Sequence, residues 1–279
     1  MKRIIVFLTF VFPAAAFAGN PDLEWKRAER GLEYVCATFD LNDTVQCISV
    51  VRYNPSRFHT EIVNDPGFEG DAPSAVTSVL AERYGGVAAI NGSYFNMKEL
   101  VPATYVVDDG VQEGTTAEYE LFRVNGAVGI NGEKVKILPT VIPDCKADLS
   151  DCREVLAAGP VLVRDGVAVS FRDDRSGFAK RHPRSIVGIG RRGWIYLIVI
   201  DGRFPGKAAG ASLDEAAGIC TMLGLKDALN LDGGGSSALW LGTEGILSHP
   251  SDNKTFDHDG QRRVPNAIVV KRRGGLSDR

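Results

Sequence analysis

The sequence lacks a hydrophobic run long enough to span a bilayer. Its main apolar stretch, Ile4–Phe12, is less than half of the ~20 residues a membrane helix needs. Metal-motif spacings are also missing. There are only four histidines, none in a His-x-x-x-His pair, and no two cysteines stand at a zinc-finger spacing. The G-x-S-x-G elbow of serine hydrolases does not occur: the nearest run reads Gly233-Gly234-Gly235-Ser236-Ser237. No internal repeat, heptad pattern or low-complexity linker is visible. Excess positive charge is absent as well. Thirty-two Lys and Arg against 35 Asp and Glu give a net charge of −3, which argues against nucleic acid as a partner.

What remains is ordinary globular material, 44% hydrophobic and 24% charged. Lys2 and Arg3, the run Ile4–Phe12 and the small-x-small pattern Ala16-Phe17-Ala18 predict a secretory signal peptide over residues 1–18. The expected mature protein is secreted or periplasmic. Loss of Lys2 and Arg3 takes its net charge from −3 to −5. No cysteine follows the cleavage region, so no lipid or membrane anchor is expected.

The five cysteines fit an oxidising compartment. Cys36 and Cys47 are symmetric about the turn-rich Asp40-Leu41-Asn42-Asp43. If Phe39 pairs with Thr44, they face each other at a distance suited to a disulfide. Cys145 and Cys152 enclose a short polar loop and form a second expected bridge. Cys220 reads as a buried, inert thiol on an apolar helix face.

Gly31–Phe39 and Thr44–Tyr53 read as a hairpin, and Asp71-Ala72-Pro73 as the opening of a helix that stops at Gly85-Gly86. Asp-Gly and Asn-Gly turns punctuate short β runs from Val101 to Leu138. Ile186–Gly190 and Trp194–Ile200 are almost wholly apolar, which predicts central strands covered on both faces. Ser212-Leu213-Asp214-Glu215 is a capping box opening a helix with its C-cap at Gly224. The predicted fold is α+β: a single domain with a mixed, mostly antiparallel β-sheet core and a few helices. An N-terminal β region (19–70) packs on a main domain (71–270), and a charged tail (271–279) follows.

Three apolar strands end abruptly in polar residues and glycine: at Asn91-Gly92-Ser93-Tyr94, at Asp201-Gly202-Arg203 and at Asn230-Leu231-Asp232-Gly233-Gly234-Gly235-Ser236. Glycines without Cβ expose backbone N–H groups to a ligand. Asp and Asn suit sugar hydroxyls, and Arg suits phosphate. Arg184, between Pro183 and a buried strand, either pairs with a carboxylate or holds an anion. Glycosidic cleavage uses carboxylates, for which Asp201 and Asp232 are the natural pair and Glu215 the reserve. Asn91, Tyr94, Arg184, Arg203, Asn230, Gly233, Gly234 and Ser236 are the substrate-binding candidates. His182, His249 and His258 fall in loops and read as solvated.

Together, Asn91–Phe95, Gly159-Pro160-Val161-Leu162, His182–Gly188, Asp201-Gly202-Arg203, Gly210–Glu215, Leu231–Ser237 and Arg263-Val264-Pro265-Asn266 resemble the phosphodiester glycosidase family. The resemblance spans roughly Ile90 to Val270. It implies cleavage between an anomeric carbon and a phosphodiester oxygen, with site positions at Asn91, Arg184, Asp201, Arg203, Glu215, Asp232, Gly233, Gly234 and Ser236. The expected substrate is a glycosyl phosphate or other anionic glycan in an envelope or extracellular polymer, with no cofactor required. Two other readings use the same residues. One is a metal-assisted phosphodiesterase with a divalent cation on Asp201 and Asp232; the other is a binding module without turnover.

Overall fold

The computed structural model describes residues 21–65, 74–139, 149–171 and 179–274. The expected signal peptide, the helix-opening Asp71-Ala72-Pro73, Cys145 and the end of the charged tail lie outside these residues. Every strand pairing among the described residues is antiparallel.

The eight strands of the largest sheet run, from edge to edge, Lys26–Glu29, Leu32–Leu41, Thr44–Tyr53, Ile195–Ile200, Arg184–Gly190, Leu225–Asn230, Val161–Arg164 and Val167–Ala168. The two near-continuously apolar strands are its centre. A second sheet contains Ala88–Asn91 between Leu239–Leu241 and Asn266–Arg272, with Phe58–Asn64 at one edge. A third is built around Glu154–Ala158 and Gly126–Asn131. Alternation along each strand sends one set of side chains into the space between sheets. Val51, Val187, Leu197 and Leu229 meet Ile62, Ile90 and Ile268 of the second sheet and Val128 and Leu156 of the third in one core. The expected N-terminal β region thus shares its sheets with the rest of the chain.

On the outer face of the large sheet, Ile48, Val50, Ile186 and Ile198 pack under Leu213, Ala216, Ala217 and Cys220 of the helix Leu213–Met222. That helix has the predicted capping box: Glu215 N–H donates to Ser212 Oγ at 3.2 Å, and Ser212 N–H to Glu215 Oε2 at 2.9 Å. Cys220 is fully buried, and burial raises its thiol pKa. The second helix, Thr77–Arg83, covers Ala89 and Val269. It starts later than the sequence suggested, because Ala75–Val76 pairs as a short strand with Arg263–Val264.

The first hairpin is tighter than expected. Leu41, not Phe39, pairs with Thr44, and Asn42 and Asp43 form a two-residue turn with φ of 48° and 59°. Such a turn matches the strand twist. The register therefore sets Cys36 opposite Ser49 and Cys47 opposite Thr38, and both thiols are free rather than bridged. The other expected bridge involves Cys145, outside the described residues. Among the described residues, no helix is long and apolar enough to cross a membrane.

Candidate active site

Three chain segments leave the large sheet side by side along one edge. Ile200 stands opposite Arg184, and Ile186 opposite Asn230. Asp201-Gly202-Arg203, Pro183-Arg184 and Leu231-Asp232-Gly233 are therefore neighbours. Glycine is required for this approach. A Cβ on Gly233 would lie 2.6 Å from Pro183 O, and one on Gly202 2.8 Å from Gly210 Cα. Gly234 N–H donates to Pro183 O at 2.9 Å. The second sheet brings a fourth segment: Asp232 N–H donates to Gly92 O at 3.1 Å, and Asn91 Nδ2 to Asp232 O at 2.7 Å. Asn91 Oδ1 accepts from Ser185 Oγ and Ala238 N–H. Asn91 is fully buried and staples the two sheets under the site.

Asp232 is the half-buried aspartate of this edge. Burial pushes its pKa up to about 6, opposed by a hydrogen bond with Ser236 and by the Arg123 and Arg262 charges. A carboxyl group poised near neutrality suits proton transfer. Arg123 lies 3.6 Å from the centre of the Tyr94 ring, and its charge is paired with Glu120. Tyr94 is buried, donates its hydroxyl to Gly159 O at 2.5 Å, and has its pKa raised to about 12 by burial. Asn230 Nδ2 donates to the same carbonyl at 2.9 Å. Tyr94 and Asn230 thus form the floor rather than the surface of the site. Arg262 is held by Asp252 at 2.6 Å and reaches Ser236 Oγ at 3.4 Å.

At this edge, Arg184 and Arg203 have no carboxylate partner among the described residues. Arg184 donates only to backbone carbonyls, Ala211 O at 2.8 Å and Lys180 O at 3.0 Å. Burial lowers its pKa to about 10. Arg203 is exposed, adopts φ +70° and touches Ser251 Oγ at 3.3 Å. A left-handed conformation in a non-glycine residue costs about 1–2 kcal/mol. Here it carries the side chain over the glycine loop, where a Cβ on Gly234 would meet Arg203 Nη2 at 2.8 Å. Two unneutralised cations beside a glycine loop and a carboxylate form an anion-binding arrangement.

The other two carboxylate candidates are engaged elsewhere. Asp201 is buried, with Oδ1 accepting His249 N–H at 2.9 Å and Oδ2 2.7 Å from His249 Nδ1. Burial raises its pKa against these contacts. It lies two strands from Asp232, about 9–10 Å by sheet spacing, and no hydrogen bond joins the two. Glu215 caps its helix and takes Arg181 through both oxygens, with Asn42 Nδ2 at 3.0 Å. Its burial is outweighed by these donors, which hold the pKa down to about 2.

Sequence reasoning missed Arg123, which follows an unremarkable hairpin region, and Arg262, which stands one residue before a motif that was recognised. His249 was read as solvated. Instead it is bonded to Asp201 and stacked on Phe256 at 3.8 Å. No histidine spacing marks it; its partner is 48 residues away.

The model of the phosphodiester glycosidase family matches residues 84–271, more than half of the sequence. The chain belongs to the phosphodiester glycosidase family. The matched span holds Asn91, Arg184, Arg203 and Asp232, along with Asp201 and Glu215. Among solved structures, the zebrafish N-acetylglucosamine-1-phosphodiester alpha-N-acetylglucosaminidase catalytic domain, auto-inhibited by its pro-peptide, superposes with a TM-score of 0.69. It is 19% identical, over 89% of this chain and 86% of that one. A hypothetical protein from Synechocystis gives a TM-score of 0.71 at 18% identity, over 91% of this chain but only 64% of that one. These likenesses concern the fold. A search of curated proteins returns no matching sequence.

Proposed function

We propose that this protein hydrolyses a glycosyl phosphodiester at the bond between the anomeric carbon and the phosphate oxygen, acting on an envelope or extracellular glycan after secretion. The supporting observation is the convergence of Asp232, poised near neutrality, with the unpaired Arg184 and Arg203 around the Gly233–Gly235 loop. Arg184 and Arg203 hold the phosphate beside the glycine loop, and its charge grows as the bond breaks. A phosphate leaving group needs charge stabilisation more than protonation, so one carboxylate near the reacting carbon suffices. Asp232 accepts a proton from the attacking water as the water oxygen bonds to the anomeric carbon. The electron pair of the broken C–O bond departs with the phosphate. In this reading Asp201 orders the strand end that carries Arg203, and Glu215 anchors the helix beside Arg184.

The test is a panel of sugar-1-phosphodiesters incubated with the protein, with release of free sugar measured. Turnover of at least one member, lost on Asp232→Asn, is the expected result. Binding without turnover across the panel would instead favour a recognition module.

A further inference from the structure

A second group of chemically capable side chains lies beneath the site, where Asp201 points. In the pairing of Thr44–Tyr53 with Ile195–Ile200, Ile48 stands opposite Ile200. The next residues, Cys47 and Asp201, are therefore cross-strand neighbours whose side chains share a face, and Asp201 N–H donates to Cys47 O at 2.9 Å. His249 enters from a loop and is fixed by its own N–H on Asp201 Oδ1. One ligand atom from each of Cys47, Asp201 and His249 lies within 4.8 Å of the other two. His249 Nδ1 is 2.7 Å from Asp201 Oδ2 and 4.0 Å from Cys47 Sγ.

The thiol and the carboxylate approach the same ring nitrogen. A nucleophilic triad needs the imidazole between its partners, with one on each nitrogen, so this is not one. Three donors converging on one point are what a metal ion requires. Bonds of about 2.0–2.3 Å around a tetrahedral Zn²⁺ separate donor atoms by roughly 3.3–3.8 Å. The His249–Asp201 and His249–Cys47 separations fall on either side of that range and need shifts of well under an ångström each; the Cys47–Asp201 separation, within 4.8 Å, closes by about an ångström at most.

The surroundings complete the requirements of such a centre. The His249 N–H on Asp201 and the flat stacking of His249 on Phe256 orient two of the ligands from outside. A cavity of about 420 Å³, lined by Cys36, Cys47, His249, Phe256 and His258, leads to the group. Cys36 is exposed, so the cavity provides an access path. His258 lies 4.6 Å from His249, ring to ring, with Nδ1 2.9 Å from Ser248 O. That carbonyl accepts a hydrogen bond from Nδ1–H, which in the neutral ring leaves a lone pair on Nε2.

We propose that Cys47, Asp201 and His249 bind one thiophilic divalent cation of the zinc class, with a fourth position facing the cavity and open to water or His258. The proposal does not rest on the hydrolytic reading, and its test does not measure turnover. The full chain, stripped with a chelator and kept reduced, is titrated with Co²⁺ as a spectroscopic probe. The expected result is one equivalent bound, with a thiolate-to-cobalt charge-transfer band and visible bands of a four-coordinate site, all displaced by Zn²⁺. Cys47→Ser should remove the charge-transfer band. His249→Gln should keep it while weakening Co²⁺ binding at least as much as the roughly 10–100-fold that loss of an outer-shell contact costs. Cys36→Ser should change neither. Failure of the folded protein, checked by circular dichroism, to bind one equivalent would overturn the proposal. So would a band that survives Cys47→Ser or disappears with Cys36→Ser, or undiminished binding in His249→Gln.

Discussion

Replacing Asp232 by Asn should stabilise the protein while abolishing its activity. The Asp232 pKa is raised from 3.8 to about 6 by burial, against the pull of Ser236, Arg123 and Arg262. Between these two values the folded state holds a proton that the unfolded state has released, so stability falls as pH rises through that window and the cost is complete above pH 6. Two pH units at 1.36 kcal/mol each give about 3 kcal/mol. Because the residue is only half-buried, screening reduces this to about 1–2 kcal/mol. Asn keeps an acceptor for Ser236 and removes the charge. The variant should therefore melt roughly 2–6 °C higher at pH 7.5, with the gain shrinking to nothing below pH 3.8. Loss of the proton acceptor should cost 10²–10⁴ in kcat, to order of magnitude. Paired thermal melts at pH 7.5 and 3.5, with turnover measured on the same preparations, check both. A variant that melts lower at pH 7.5, or that keeps wild-type turnover, would refute the assignment of Asp232 as the strained catalytic base.

The wild-type kcat/KM should rise with pH through about 6 and then level off, as required if ionised Asp232 is the active form; a profile that falls over this range contradicts it. Arg184→Met should leave stability unchanged or slightly higher, since a half-buried guanidinium without a carboxylate partner is replaced by a chain of similar volume. It should also raise KM and lower kcat/KM at least tenfold. A large loss of stability would show instead that Arg184 is structural. Glu215→Gln should behave in the opposite way to Asp232→Asn, because the pKa of Glu215 is held down to about 2 by donors that outweigh its burial. Its contribution to stability is complete above pH 4.5 and lost as pH falls toward 2. The variant should lose about 2–3 kcal/mol at neutral pH, read by denaturant melts, while kcat at 25 °C stays within a few-fold of wild type.

The elements legible in the sequence were those whose signal is local. Ile186–Gly190 and Trp194–Ile200 announced themselves by near-unbroken apolar character, and the Ser212–Glu215 capping box fixed the start of its helix to the residue, though the helix ends at Met222, before the expected C-cap at Gly224. The glycine run after Leu231 marked the candidate site because close approach of backbones demands it: Pro183 O occupies the space a side chain at Gly233 would need. What the sequence did not reveal depends on partners far along the chain. The hairpin register turned on whether Asn42-Asp43 alone, or four residues, made the turn, and a shift of two pairs separated Cys36 from Cys47. Asp201 and Glu215 have the right chemistry for catalysis, but His249 and Arg181 engage them, and neither pairing has a spacing that can be read in advance. Arg123 reaches Asp232 through the placement of Tyr94, with no motif to mark it.

The central claim, that Asp232 with Arg184 and Arg203 directs water to the sugar rather than to phosphorus, is tested most directly by the fate of solvent oxygen. Hydrolysis of a sugar-1-phosphodiester substrate in ¹⁸O-labelled water, followed by mass spectrometry of both products, should place the label in the sugar and leave the phosphate unlabelled. Label in the phosphate would mean that the P–O bond breaks, and would contradict the account.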